Sequence, residues 1–104
     1  MANPSLYEGG NGPGFDAWAR GVPVAMSDIP PFREHVKVHD VRAEIFDPRS
    51  PRDIAEKLER ILSNPQKSAE DTAHSKNAIS HFTWERSAEG YLRVFEDVLK
   101  QLRV

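Results

Sequence analysis

Two acids and a run of glycines near the start of the chain have the types and spacing of a ligand site. Glu8 opens the run Glu8-Gly9-Gly10-Asn11-Gly12-Pro13-Gly14, and Asp16 stands eight positions after Glu8. Glycine-rich backbone lets amide N–H groups approach a bound group closely, because no Cβ intervenes. The start of a following helix adds unpaired N–H donors and the positive end of the helix dipole. Backbone of that kind holds phosphates. A carboxylate at a helix start can accept hydrogen bonds from hydroxyls such as those of a ribose. Gly9, Gly10, Asn11, Gly12 and Gly14 are therefore candidates to cradle a phosphate group. Asp16 is a candidate for hydroxyl contact, and Glu8 is an acid at the mouth of the loop. The bland alternatives are a solvated loop acid at Glu8, an acid favoured by the helix dipole at Asp16, and a flexible linker at 9–14.

The elements that must position these residues follow from local pattern. Residues 1–7 read as the end of a strand and 8–14 as the ligand loop. A short helix over 15–20 ends at Gly21, a residue suited to the position after a helix end. Residues 23–26 read as a short buried strand closed by the Ser27-Asp28 turn. Pro30-Pro31 opens a helix covering 32–36, residues 38–40 are irregular, and 43–46 form another short strand. The second half is helical. Ser50-Pro51-Arg52-Asp53 combines a serine cap, a proline at the first helical position and an acid at the third. Ile54, Ala55, Leu58, Ile61 and Leu62 then share one face, and Asn64-Pro65 stops the helix. Residues 66–80 form a more polar helix with Ala69, Ala73 and Ile79 as its inner side. Thr83 caps a last helix with a wide apolar stripe: Trp84, Ala88, Tyr91, Leu92, Phe95, Val98, Leu99 and Leu102. Strands alternating with helices argue for a parallel α/β layer. A sheet of two or three strands leaves edges uncovered, which predicts self-association or marginal stability.

The same residues carry a resemblance. Pro4, Ser5, Glu8, Gly9, Pro13, Asp16, Ala17, Ala19, Gly21, Pro23, Val24, Ser27 and Asp28 stand in the order of the signature of family-four GT-B glycosyltransferases, the group 1 retaining enzymes that use nucleotide-sugar donors. Pro30 to Glu34, then Phe46, Asp47 and Pro48, and finally Phe82, Thr83, Trp84, Glu85 and Arg86 resemble later family segments. The resemblance implies an α/β, partial Rossmann-like layer with a short parallel sheet and a helix-rich C-terminal half. It implies a single partial domain over 1–104, the C-terminal portion of a donor-binding domain. The acceptor domain and the upstream basic pair that grips the diphosphate would lie outside this sequence. It further implies that Glu8 is catalytic, contacting the donor sugar and helping to stabilise positive charge developing on it, that Gly9, Gly10, Asn11 and Gly12 face the diphosphate, and that Asp16 takes the place of a ribose-binding glutamate. The donor would be a nucleoside-diphosphate sugar, with no metal and no other cofactor. The family has Phe, Gly and Leu where this chain has Gly10, Asn11 and Gly12. By this reading the chain is a transferase fragment, inactive alone, that could complement a chain carrying the missing domain. The alternative is a non-catalytic interaction or self-associating module derived from that domain.

Composition narrows the field. In 104 residues, 14 basic and 16 acidic side chains give a net charge of −2. That balance offers no basic face for nucleic acid. The absence of cysteine excludes disulfides and thiolate metal sites and fits the cytoplasm. No apolar run approaches the ~20 residues that span a bilayer. His35 and His39 stand four apart but lack a third ligand, and the helix is expected to end between them. With His74 and His81 they read as surface histidines. Arg20, Arg33 and Arg42 read as surface or salt-bridge residues, and Trp18 and Trp84 as packing residues. The final stripe reads as the core face of the last helix, or else as a partner-binding or membrane-surface helix; the resemblance implies a C-terminal helix that reaches across to the other domain, so without that domain part of the stripe is expected to be exposed and to seek a partner such as a second copy.

Overall fold

A computed structural model describes residues 1–103. The chain runs β1 (Ala2–Asn3), α1 (Gly12–Ala19), β2 (Ala25–Ser27), α2 (Pro30–His39), β3 (Glu44–Phe46), α3 (Pro51–Ser63), α4 (Pro65–Ile79) and α5 (Trp84–Leu102). The fold is α/β with a short parallel sheet, as the pattern predicts. Its order is β1-β2-β3, with Asn3 opposite Met26 and Met26 opposite Ile45. Each strand is joined to the next through a helix, the connection that parallel pairing demands.

Register decides which residues meet. Side chains alternate across a strand, so Met26 and its neighbour Ile45 share one side of the sheet. Met26 forms the core there with Val24, with Ala17 and Trp18 of α1, Ile29 and Phe32 at the start of α2, Val41, and Ile79 of α4. Trp18, Phe32 and Met26 are almost wholly buried. The Trp18 indole N–H donates to the Arg42 carbonyl at 3.1 Å, so burial leaves no polar group unpaired on this ring. Trp18 is the packing residue its position predicts. α4 packs on α1, and α3 packs along β3.

Several boundaries differ from expectation. α1 starts at Gly12, not at residue 15, because Asn11 caps it and Pro13 suits its first turn. Its end is as expected: Gly21 takes φ +69°, a conformation glycine adopts without a Cβ penalty. α2 continues through 38–39 and stops only at Asp40, which takes the left-handed conformation with φ 53°. His74 of α4 holds that corner, with Nε2 2.9 Å from the Asp40 carbonyl and 3.2 Å from its carboxylate. The Ser50 cap is confirmed, its Oγ accepting from the Asp53 amide at 3.1 Å. Ile54, Leu58 and Ile61 of α3 are partly covered, while Ala55 and Leu62 are exposed. In α4 the inner side carries Ser75 and Ile79, whereas Ala69 and Ala73 face solvent. Small residues do not mark a buried face when a serine has a backbone partner there: the Arg42 amide donates to Ser75 Oγ at 2.8 Å. α5 contains no buried residue among those described.

Candidate functional site

The glycine loop leaves the C-terminal end of β1 and feeds the start of α1. Asn11 is the pivot of this passage. It is only 3% exposed. Its Oδ1 accepts from the Gly14 amide at 3.3 Å and from Asn3 Nδ2 at 3.4 Å, and its Nδ2 faces Met26 Sδ at 3.6 Å. The cap requires glycine at position 14, since a Cβ there would collide with the Asn11 carboxamide. Gly14 thus serves close packing within the helix start, not loop flexibility.

Two of the donors that a helix start would offer are consumed. Pro13 has no N–H, and the Gly14 N–H is taken by Asn11. Among the described residues, the amides of Gly9, Gly10, Asn11 and Gly12 have no hydrogen-bond partner within the chain. Those are four of the five residues the sequence nominates for a phosphate cradle; the fifth, Gly14, has no free N–H to offer because Asn11 takes it. A Cβ at Gly9, Gly10 or Gly12 would meet nothing, so no packing inside this chain demands glycine at these places.

Glu8 sits half-buried in a small polar network. The Ser5 hydroxyl lies 2.8 Å from Glu8 Oε1 and 2.7 Å from Asn3 Oδ1. One hydroxyl hydrogen can serve only one of these acceptors at a time. The Ser5 amide also donates to Asn3 Oδ1, at 3.3 Å, and Ser27 Oγ donates to the Asn3 carbonyl at 3.2 Å. Asn3 therefore ties the end of β1 to Ser5, Asn11 and β2, and Ser5 carries that order to the Glu8 carboxylate. Sequence reading of the loop overlooked Asn3 and treated Ser5 only as part of a motif.

Asp16 lies in the second turn of α1, not the first, because the helix begins at Gly12. It is exposed. With Gly12, Phe15 and Ala19 it forms one wall of a groove of about 660 Å³, whose other wall includes Phe82, Trp84 and Glu85. Trp84 is 88% exposed, so the packing expected of it is not made within this chain. Glu8, Gly9, Gly10 and Asn11 do not line this groove.

A second cleft, of about 680 Å³, lies below the sheet between the residues flanking β2 and β3 and the helices α3 and α4. Its charges are mutually paired. Arg42 lies 3.1 Å from Asp71, Lys67 2.9 Å from the same carboxylate, and Arg60 3.8 Å from Glu44. Burial pushes the Asp71 pKa up, but hydrogen bonds from Lys67 and Arg42 outweigh it and hold the carboxyl below its ordinary value. The same bond raises the Lys67 ammonium. Arg33 pairs with Asp28 at 3.1 Å. Arg33 and Arg42 are thus salt-bridge residues, and Arg20 is exposed.

His35 and His39 occupy one helix face, since α2 does not end between them. They surround Phe15, with ring centroids 5.0 and 5.2 Å from it, and Phe82 stacks on the same ring at 5.6 Å. Among the described residues no group of three or more metal-ligating side chains occurs. The pair is an aromatic joint between α1, α2 and the segment that precedes α5.

A three-stranded parallel α/β layer with a glycine loop at the end of β1 and a capped helix behind it is the class of structure that the geometry defines. The profile of the family described as Glycosyl transferases group 1 matches residues 1–81. The chain belongs to that family, as the ordered motifs imply. No curated protein and no solved structure matches it significantly. α5 lies beyond the matched span.

Proposed function

We propose that this chain is the sugar-facing portion of the donor site of a GT-B glycosyltransferase, a retaining enzyme that moves a sugar from a nucleoside diphosphate to a glycan or lipid acceptor. The single observation that carries this reading is the family match over residues 1–81, which contains the Glu8 loop and α1. Unpartnered amides at Gly9, Gly10, Asn11 and Gly12 would take the diphosphate oxygens. The leaving diphosphate gains charge as the bond to the sugar breaks, and fixed N–H dipoles favour that charge without reorganising. Glu8, oriented by Ser5, would accept hydroxyls of the sugar and offset positive charge on its ring. Asp16, one turn further along α1, would accept the ribose hydroxyls across the groove. Nothing in this scheme calls for a metal.

A polypeptide of these 104 residues would transfer no sugar by itself. Arg33 and Arg42, two bases that could neutralise a diphosphate, are committed to Asp28 and Asp71. A second chain bearing an acceptor domain would be needed. The setting would be the cytoplasm. Among the described residues no helix is long and apolar enough to cross a membrane. The alternative reading, a non-catalytic interaction or self-associating module, is favoured by one observation: among the described residues nothing buries the apolar stripe of α5.

Calorimetric titration with UDP, GDP and their sugar conjugates tests the donor site. Binding in the micromolar-to-millimolar range is expected. Glu8→Ala should weaken the sugar conjugate about ten-fold and the bare diphosphate hardly at all, the loss of one charged hydrogen bond. Asp16→Ala should weaken both alike. Equal affinity of wild type and both variants for every nucleotide would refute the assignment.

A further inference from the structure

α5 is a helix of 19 residues without a buried side chain among those described. Along it, Trp84, Ala88, Tyr91, Phe95, Val98 and Leu102 alternate steps of four and three, the heptad spacing of a helix seam. Leu92, Leu99 and Val94 widen the seam on its flanks. Trp84 is 88% exposed, Tyr91 69%, Phe95 61% and Leu102 75%. With whole aromatic side chains burying about 150–250 Å², these exposures place on the order of 1,000 Å² of apolar surface on one face. Single chains rarely show a contiguous patch above about 600 Å². The helix is held at its N-terminus by the Thr83 cap, whose Oγ1 accepts from the Arg86 amide at 3.1 Å. From there it projects, and the molecule extends 60 Å along its longest axis.

We propose that α5 is the interface of a homodimer, paired antiparallel with α5 of a second copy. The area argues for a second copy: two such faces bring together about 2,000 Å², and covering two-thirds of that reaches the size of stable interfaces. The register argues for antiparallel pairing. Centred near Arg93, it sets Trp84 against Leu102, Ala88 against Val98 and Tyr91 against Phe95, and it lays Leu92 on Leu92 and Val94 on Val94. Each layer then joins side chains that fit together, and the two helix dipoles oppose. Parallel pairing would set Trp84 on Trp84 and Ala88 on Ala88, a clash beside a void. A lipid surface suits the helix poorly. Membrane-surface helices carry an excess of Lys and Arg on the polar face. Here four acids (Glu85, Glu89, Glu96, Asp97) outnumber three bases (Arg86, Arg93, Lys100), and the bases lie on the row farthest from the seam.

Sedimentation equilibrium of the chain should show a mass rising with concentration from 11.8 kDa to twice that value. Phe95→Glu should weaken the dimer at least about 30-fold, as removal of a central anchor does. Gly90 lies off the seam, and a Cβ there meets nothing. Gly90→Ala should therefore stabilise the helix in monomer and dimer alike and leave the dimer constant within about two-fold, a control for effects on the helix itself. The natural absence of cysteine makes single-cysteine variants clean reporters. Leu92→Cys should oxidise to a disulfide-linked dimer. Trp84→Cys should not do so alone, but should when mixed with Leu102→Cys. A mass of 11.8 kDa at every concentration, self-linking of Trp84→Cys in preference to Leu92→Cys, or a monomer that binds phosphatidylglycerol vesicles would each overturn the proposal.

Discussion

Replacing Gly14 with alanine perturbs the helix start that carries the candidate donor site, and the structure fixes both the size and the sign of the effect. Alanine inside a helix is favoured over glycine by up to about 1 kcal/mol. At this position the new Cβ would overlap the Asn11 carboxamide, which must swing away. The cap bond to the residue-14 amide is then lost, at about 1 kcal/mol. The displaced amide of a buried Asn11 also forfeits its contacts with Asn3 and Met26, a further cost of about 1–3 kcal/mol. The net expectation is destabilisation by about 1–3 kcal/mol, read as a lower urea midpoint by circular dichroism. For a domain of this size a 2 kcal/mol loss lowers Tm by about 8–16 °C. The decisive comparison is with Asn11→Ala. In that background no carboxamide stands in the way, so Gly14→Ala should change sign and stabilise by up to about 1 kcal/mol. Equal destabilisation in both backgrounds would refute the claim that Gly14 is glycine because of Asn11. The same cycle bears on binding, since Asn11 is linked through Asn3 and Ser5 to Glu8.

Two further outcomes follow from buried polar groups. His35 is packed between Phe15, Phe32 and His39. Burial, and then the charge of His39, push its pKa below the ordinary 6.5, with Glu34 pulling weakly the other way. The unfolded chain therefore binds this proton at higher pH than the folded one, so stability is full above about pH 6.5 and falls as pH drops from there toward the folded pKa. Urea midpoints between pH 5 and 8 should show this slope in wild type and a shallower one in His35→Gln; an unchanged slope would sink the assignment. Ser75→Ala would leave the Arg42 amide without its acceptor and should cost about 1–3 kcal/mol, whereas Ala73→Ser on the exposed side should be neutral within about 0.5 kcal/mol.

What the sequence disclosed depended on how locally each feature was encoded. The α3 start was legible because its bonds are local: the Asp53 amide donates to Ser50 Oγ, and the Asp53 carboxylate takes the Asp47 amide and Lys57. β2 and β3 were legible from short apolar runs between helices, whereas Ala2–Asn3 offers no such run and the strand end read over 1–7 is only these two residues, with Leu6 and Tyr7 exposed beyond it. The start of α1 was misplaced because Gly12-Pro13-Gly14 has loop composition. It is helical because Asn11 is buried against Met26 and Asn3, partners that sit in other elements. The extension of α2 to His39 depends on Asp40 adopting a left-handed conformation that His74 braces from α4. The inner face of α4 was read correctly at Ile79 but not at Ala69 and Ala73, because hydrophobicity ranks Ala73 above Ser75, while tertiary hydrogen bonding reverses the order. Of the candidate site, the nominated residues were visible as a motif, but the Asn3–Ser5 support of Glu8 was not, because it joins a strand end to a loop. The stripe of α5 was read as core or as a partner-binding or membrane-surface face, because periodicity reports only that a face seeks cover and not where the cover is.

The sheet also constrains the order in which the chain can organise. β1 has two residues, and β2 and β3 have three each, so no strand pair can persist unaided. Each pairing also spans a complete helix: Ala2 meets Ala25, and Ala25 meets Glu44. Closing such connections costs chain entropy before any ladder bond is gained. The helices α3 and α4, by contrast, are neighbours in sequence and can meet early, although α4 completes its packing only against α1. The central strand is therefore recruited late, when Trp18 and Phe32 dock over Met26, and all three strands should acquire protection from amide exchange in one step. During synthesis the N-terminal end emerges first yet must wait for Phe46, so β1 and its glycine loop stay open to chaperones and proteases until the third strand arrives.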